Sequence, residues 1–313
     1  MRSGNAIQRV FLTGGSGFVG GAVLRELVGR GYGVNALVHR EPLDQVGDVR
    51  SIRGGLFDAA ALEVGMADAQ AVIHLVGIIE EDVRRGITFD RMHFEGSQRV
   101  IDAASRVGVR RFVLMSANGV RPDAVSNYHR SNWRAETYLR ESGLDWTIIR
   151  PSMIHGPGGA FTAMLAGWAR RRRAPYLFMP YFGRGVLGQG GSGRLQPVLV
   201  DDVARAFVDA LATPSTIGQT YELGGPEVYT WPQFYRIASE LIVGRRRAVL
   251  PIPGWYATLL TRLLPQRILP FNRDQVVMAL EDNTVDLAAF ECDFGWRPRA
   301  FAATLQEYAA TLR

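Results

Sequence analysis

The sequence contains no lysine: all 36 of its basic residues are arginines, set against 30 acidic residues. That absence limits the chemistry open to any site, because arginine carries a permanent planar charge where lysine would offer a tunable amine. Cysteine is almost as scarce. Cys292 stands alone, which excludes an intramolecular disulfide and any cysteine-based zinc site and fits a reducing compartment, with the cytosol the expected location. The five histidines include no pair at metal-ligand spacing, so no metal is expected. No uninterrupted apolar run is long enough to span a bilayer, and the glycines from Gly14 to Gly20 break the first hydrophobic stretch, which lacks signal-peptide form. The expected state is soluble, or at most peripheral to a membrane. The formal charge of +6 reads as a small difference between charges scattered along the chain, a solvated surface with no nucleic-acid partner.

What is present is enough for a large core. The 313 residues are 47% hydrophobic, which favours one extended domain, or one domain with a small lobe, over disorder. From Ile7 to about Pro151, short β-branched runs at 9–12, 33–38, 49–52, 71–76, 111–115 and 146–149 alternate with helical stripes such as Val19, Val23, Leu24 and Leu27, then Phe94, Val100, Ile101 and Ala104. Such alternation builds a parallel sheet from βαβ units. The expected fold is therefore α/β: a Rossmann-type doubly wound parallel sheet over residues 1–151. Residues 152–313 should supply substrate- or partner-side loops, returning sheet elements and a small C-terminal lobe. The glycines of 156–159, the arginine run 170–173 and the Gly-rich stretch 183–193 predict long loops, and 201–211, 231–243 and 301–312 predict helices.

Gly14, Gly17 and Gly20 form a Gly-x-x-Gly-x-x-Gly turn between the first strand and an amphipathic helix. The first glycine permits the tight turn, the second lets backbone approach a pyrophosphate, and the third lets helix pack on strand, while first-turn N–H groups face the anion. A carboxylate at the end of the second strand would bind ribose hydroxyls and an arginine would suit a phosphate. The chain reads Val38-His39-Arg40 there, so NADP(H) is expected over NAD(H).

Several stretches together resemble one family. They are Thr13 to Gly20, His74-Leu75-Val76-Gly77-Ile78-Ile79, Arg111 to Ser116, Tyr128-His129-Arg130-Ser131, Arg150-Pro151-Ser152, Gln196-Pro197-Val198 with Asp201 to Ala204, and Arg273-Asp274-Gln275 with Asp282-Asn283. In order and spacing they resemble the atypical and extended short-chain dehydrogenase/reductases, and within them the nucleotide-binding accessory subunit of respiratory complex I and its bacterial relatives. The resemblance implies that backbone at Gly14, Gly17, Phe18, Val19 and Gly20 meets the pyrophosphate. It puts His39 and Arg40 near the adenosine ribose, Leu75, Val76 and Gly77 along the dinucleotide, and Ser152 with Met153 near the nicotinamide. Adenine would be left to Asp58, since Gly54 and Gly55 stand where relatives have an aspartate. It also implies a catalytic set. Tyr128 would exchange a proton with the substrate oxygen and Ser116 would orient that oxygen, but Asn132 stands in place of the lysine that lowers the tyrosine pKa.

Two readings follow: a dinucleotide holder with little or no turnover, structural or redox-sensing, beside a respiratory or quinone-related complex; or an NADPH-dependent oxidoreductase reducing a hydrophobic carbonyl compound through Tyr128. A sugar-nucleotide epimerase shares the fold, but Arg40 and Asn132 argue against it. His74, inside an apolar strand, reads as a satisfied core residue, and Asp201 and Asp202 read as helix-start carboxylates. Two apolar stripes, Phe161-Met164-Leu165-Trp168 and Trp255-Tyr256-Leu259-Leu260-Leu263-Leu264, fit a hydrophobic substrate pocket, a membrane surface, a protein partner or ordinary lobe packing.

Overall fold

The computed structural model describes residues 7–39, 43, 47–264, 269 and 271–312. The chain folds as two compact units: Met1–Pro151 with Val200–Glu222 and Leu287–Trp296, and Ser152–Leu199 with Leu223–Asp286 and Arg297–Arg313.

The first unit holds β1 (Arg9–Thr13), α1 (Phe18–Gly29), β2 (Gly33–Val38), β3 (Val49–Arg53), α2 (Ala59–Met66), β4 (Ala71–His74), α3 (Gly96–Val107), β5 (Arg111–Met115), α4 (Asn127–Glu141) and β6 (Asp145–Pro151). Its seven-stranded sheet runs Gln219–Leu223, β6, β5, β4, β1, β2, β3. The pairings from β6 through to β3 are all parallel. This is the doubly wound order, reversing direction between β1 and β4, and ligands of such sheets bind outside the strand ends at that reversal. Buried on both sides, β1, β2 and β4 are mainly apolar, as expected of parallel strands under two helical layers. Phe11 enters one core with Leu62, Met66, Val100, Ile101 and Phe112. Its neighbours Val10 and Leu12 alternate to the other face, where α1 packs on the helix Val200–Ala212. Asp201 and Asp202 lie in the first turn of that helix.

In the second unit the helices Ala160–Ala169, Trp231–Val243 and Phe301–Tyr308 share an aromatic core. The stretches 156–159, 170–173 and 184–193 carry no helix or strand, in line with the expected loops, and short strands lie between and beyond them. Met179–Gly183 pairs in parallel with Val249–Pro253, Ile154–His155 with Val198–Leu199, and Arg194–Leu195 runs antiparallel to Tyr229–Thr230. Pro180, Pro251 and Pro253 disguise the longest of these pairs; a two-stranded ladder leaves one edge of each strand free, so it tolerates the missing N–H groups. The charge is also less evenly scattered than expected. The second unit has 16 arginines and seven acidic residues, the first 20 and 23.

Candidate dinucleotide-binding site

β1 ends at Thr13, and Gly14 turns the chain with φ +78°. A Cβ on Gly14 would stand 3.1 Å from the Leu75 carbonyl carbon, and one on Gly20 would stand 1.9 Å from the Gly14 oxygen. These two glycines are required by the protein's own packing: the first by backbone passing the end of β4, the third by α1 pressing on the turn. Gly17 differs. Its N–H donates to the Gly14 oxygen at 2.9 Å, yet a Cβ there would meet only that oxygen, at 3.3 Å. It forms the N-cap of α1 without a side-chain cap, and no acidic residue occupies the first helical turn. The leading N–H groups of Phe18 and Val19 and the positive end of the helix dipole thus lack any side-chain counterpart, which suits a pyrophosphate. Across the sheet reversal, buried Leu75 donates its N–H to the Thr13 oxygen at 3.3 Å, followed by partly buried Val76 and exposed Gly77.

His39 is exposed at the bend after β2, while Arg40 lies outside the described residues. Asp58 serves its own helix, where its carboxylate caps α2 by accepting from the Ala61 N–H at 3.1 Å. Buried His74 is satisfied as expected, 2.6 Å from the Thr13 hydroxyl and 3.1 Å from that of Ser97, and burial pushes its pKa down to about 3.

Tyr128 opens the helix α4, capped by the Ser126 hydroxyl, which accepts from the His129 N–H. No hydrogen bond reaches the Tyr128 hydroxyl from the described residues, and burial pushes its phenol up to about 12. Asn132, one turn on, spends its amide within the protein: Nδ2 donates to the Tyr128 carbonyl at 2.8 Å and lies 3.2 Å from His93 Nδ1. The i to i−4 spacing makes the helix carbonyl the nearest acceptor for this amide. Arg130 and Arg134 turn away from this face. Arg130 donates to Asn127, and Arg134 pairs with Asp90 and lies 3.8 Å from the centre of the Phe94 ring.

His93 is the central residue that sequence reasoning missed. It projects from a π-helical turn, Asp90–Glu95, just before α3. Nε2 accepts from the Ile78 N–H at 2.9 Å, next to Gly77, while Nδ1 lies 2.9 Å from the Ser131 hydroxyl. Its ring stacks on Phe89 and meets Tyr128 edge-on with centroids 5.2 Å apart. His93 therefore ties the segment following β4 to α4. Burial pushes its pKa down to about 4, so at neutral pH it is an uncharged imidazole and no stand-in for an ammonium group.

Ser116 departs from its expected role. Its hydroxyl donates to Glu136 Oε1 at 2.5 Å, and that carboxylate, wholly buried, is also held by Arg140 and Arg150 at 2.6 Å each. A serine has one proton to give. With it committed to Glu136, the oxygen is presented as an acceptor, so Ser116 cannot at the same time donate to a substrate carbonyl. Ser116 and Tyr128 meet the same helix two turns apart.

Ser152 and Met153 belong to the second unit. The Ser152 hydroxyl donates to the Gln196 carbonyl, and Met153 packs against the core of that unit.

Comparison with known proteins adds to this geometry. A family described as NAD(P)H-binding matches residues 14–165. The chain is 31% identical over 251 residues to a protein named ceramide reductase from Caulobacter vibrioides, covering 78% of this chain and 74% of that one. It is 30% identical over 291 residues to the mitochondrial NADH dehydrogenase [ubiquinone] 1 alpha subcomplex subunit 9 of Arabidopsis thaliana, covering 87% and 69%. The chain belongs to the atypical short-chain dehydrogenase/reductases. Within them it is related to the accessory subunit of respiratory complex I. The fold of this short-chain dehydrogenase/reductase also matches UDP-glucose 4-epimerase from Thermus thermophilus, solved with NAD, at TM-score 0.73 and 22% identity over 97% of this chain and 99% of that one. A nicotinamide dinucleotide is the cofactor such a domain binds. Among the described residues no helix is long and apolar enough to cross a membrane.

Proposed function

We propose that the protein holds NADP(H) with little or no turnover, as a structural or redox-sensing element beside a respiratory or quinone-related complex. The observation that carries this reading is the state of Tyr128. A phenol at about 12 is ionised in only about one molecule in 100,000 at pH 7, and neither Asn132 nor neutral His93 brings the charge that would lower it. Ser116, with its proton held by Glu136, offers no compensating donor. In this reading the turn Gly14 to Gly20 holds the pyrophosphate through backbone at Gly14, Gly17, Phe18 and Val19. Leu75, Val76 and Gly77 flank the dinucleotide, Asp58 is left for the adenine, Ser152 and Met153 serve the nicotinamide end, and His39 and Arg40 select the adenosine phosphate. The relationship to complex I subunits supports the setting.

A second reading, NADPH-dependent reduction of a hydrophobic carbonyl compound, is supported by the similarity to a protein named ceramide reductase. The dinucleotide would supply the hydride chemistry when bound. A neutral Tyr128 can still donate a proton to a carbonyl oxygen, so its high pKa burdens reduction less than oxidation.

Mass spectrometry of small molecules released from the purified protein separates the two. Retained NADP(H), with no measurable alcohol oxidation, is expected; an empty protein that turns NADPH over quickly would overturn the holder reading. Arg40→Ala should remove most of the preference for NADPH over NADH, about 1.5–3 kcal/mol for a charge-assisted phosphate contact, as read by titration calorimetry. Equal affinities in the parent protein would refute it. Asn132→Lys places an ammonium on the Tyr128 face, and any alcohol oxidation it permits should show a basic limb shifted toward neutral pH.

A further inference from the structure

The two apolar stripes seen in the sequence have opposite fates. Leu165 and Trp168 of the first are buried in the core of the second unit. The second stripe lies open on the helix Gly254–Leu263, where Trp255, Tyr256, Leu259 and Leu263 are 57, 45, 41 and 69% exposed. At 3.6 residues per turn these four fall within an arc of about 100°, opposite the buried Gly254 and Ala257. The Trp255 indole N–H donates to the Val186 carbonyl at 3.0 Å, which pins the tip of a loop beside the helix, with Val186 and Leu187 77 and 69% exposed. Two chain segments thus project large apolar side chains from one place. Such a patch is not the scatter of single apolar residues that any surface shows.

The charge around it is mainly positive, with Asp282, 3.9 Å from Arg184, as a carboxylate near the base of the loop. Arg262 is exposed at the edge of the same helical arc, and Arg184 stands at the base of the loop. From Glu240 to Asp274 the sequence has six arginines and no acidic residue between them; from Asp145 to Asp201 it has seven and none. An apolar face rimmed by cations matches a bilayer whose headgroups are anionic, where apolar side chains enter the acyl boundary and arginines meet phosphates. Trp and Tyr suit that depth, each having an apolar body and a polar tip.

We infer that the helix Gly254–Leu263 and the loop tip Val186–Leu187 form a docking surface for anionic membrane lipid, which seats the second unit on a bilayer without spanning it. This rests on the exposed patch and its charge, and not on whether the bound dinucleotide turns over.

The test is sedimentation of the full chain with vesicles of phosphatidylcholine, with and without phosphatidylglycerol. Binding to the anionic vesicles, weakened by salt, is expected. Trp255→Ser combined with Leu263→Ser should lower partitioning at least tenfold, roughly the effect of removing two inserted side chains, while melting temperature and dinucleotide affinity stay unchanged. Hydrogen exchange of the unaltered protein should show residues 254–264 protected on adding the anionic vesicles. Absence of binding to either vesicle would overturn the proposal. So would equal binding by the double variant, or protection of the patch by concentration-dependent dimerisation or by a protein partner in place of lipid.

Discussion

Gly17→Val is expected to abolish dinucleotide binding and leave the fold standing, while Gly20→Ala, a smaller change three residues on, is expected to damage the fold itself. The two glycines look alike in sequence, and the difference lies in what a new Cβ would meet. At Gly20 it would be driven to 1.9 Å from the Gly14 oxygen, a distance no backbone contact tolerates, so α1 would have to lift from β1. At Gly17 the same atom would rest 3.3 Å from one carbonyl oxygen, which a shift of a few tenths of an ångström absorbs. The branched methyls of valine would occupy the space where backbone meets the pyrophosphate. Circular dichroism and thermal melting should place Gly17→Val close to the parent, with calorimetry detecting no dinucleotide, and Gly20→Ala well below it. Retained affinity in Gly17→Val would mean that the phosphates lie elsewhere.

Glu136→Leu should cost about 3–5 kcal/mol of stability, the range for removing one partner from a buried ion network. Glu136 is wholly buried and receives four hydrogen bonds, from the Ser116 hydroxyl, from Arg140 and, through two nitrogens, from Arg150. The leucine fills the space but leaves both guanidinium groups without a counter-charge. Arg150 lies largely inside the protein and Arg140 partly so. Glu136→Gln keeps the shape and one acceptor oxygen, so it should lose less than Glu136→Leu. Urea denaturation measures both. A loss below about 1 kcal/mol for the leucine variant would show that desolvation of the three charges had already cancelled their attraction.

Much of the first unit was legible because each of its strands is a short β-branched run closed by a turn residue, and each helix between them shows its own period. The run 71–76 overshot β4 by two residues, since Leu75 and Val76 continue the apolar pattern past the last paired residue, His74. Roles set by distant contacts were not legible. Nothing near Glu136 in sequence marks it as the acceptor for Ser116, 20 residues earlier, and nothing marks His93 as the link from Ile78 to Ser131. Both are polar residues on helical segments that local periodicity would assign to solvent. The stripes 161–168 and 255–264 show the same limit from the other side: alike in pattern, one lies in a core and the other faces outward, and only tertiary packing decides which.

The first unit is assembled from three separated stretches of chain, and this shapes its birth on the ribosome. When β6 has emerged, its outer edge has no neighbour, and residues 152–199 must follow before Val200–Ala212 can cover α1 and Gln219–Leu223 can close the sheet. Until then the nascent chain carries an unpaired parallel edge and an uncovered apolar helix face, the two features that favour misassociation during slow, long-range folding. A ribosome-bound chain stalled just after Pro151 should therefore recruit holding chaperones strongly, and one stalled after the Leu287–Trp296 segment has emerged should release them.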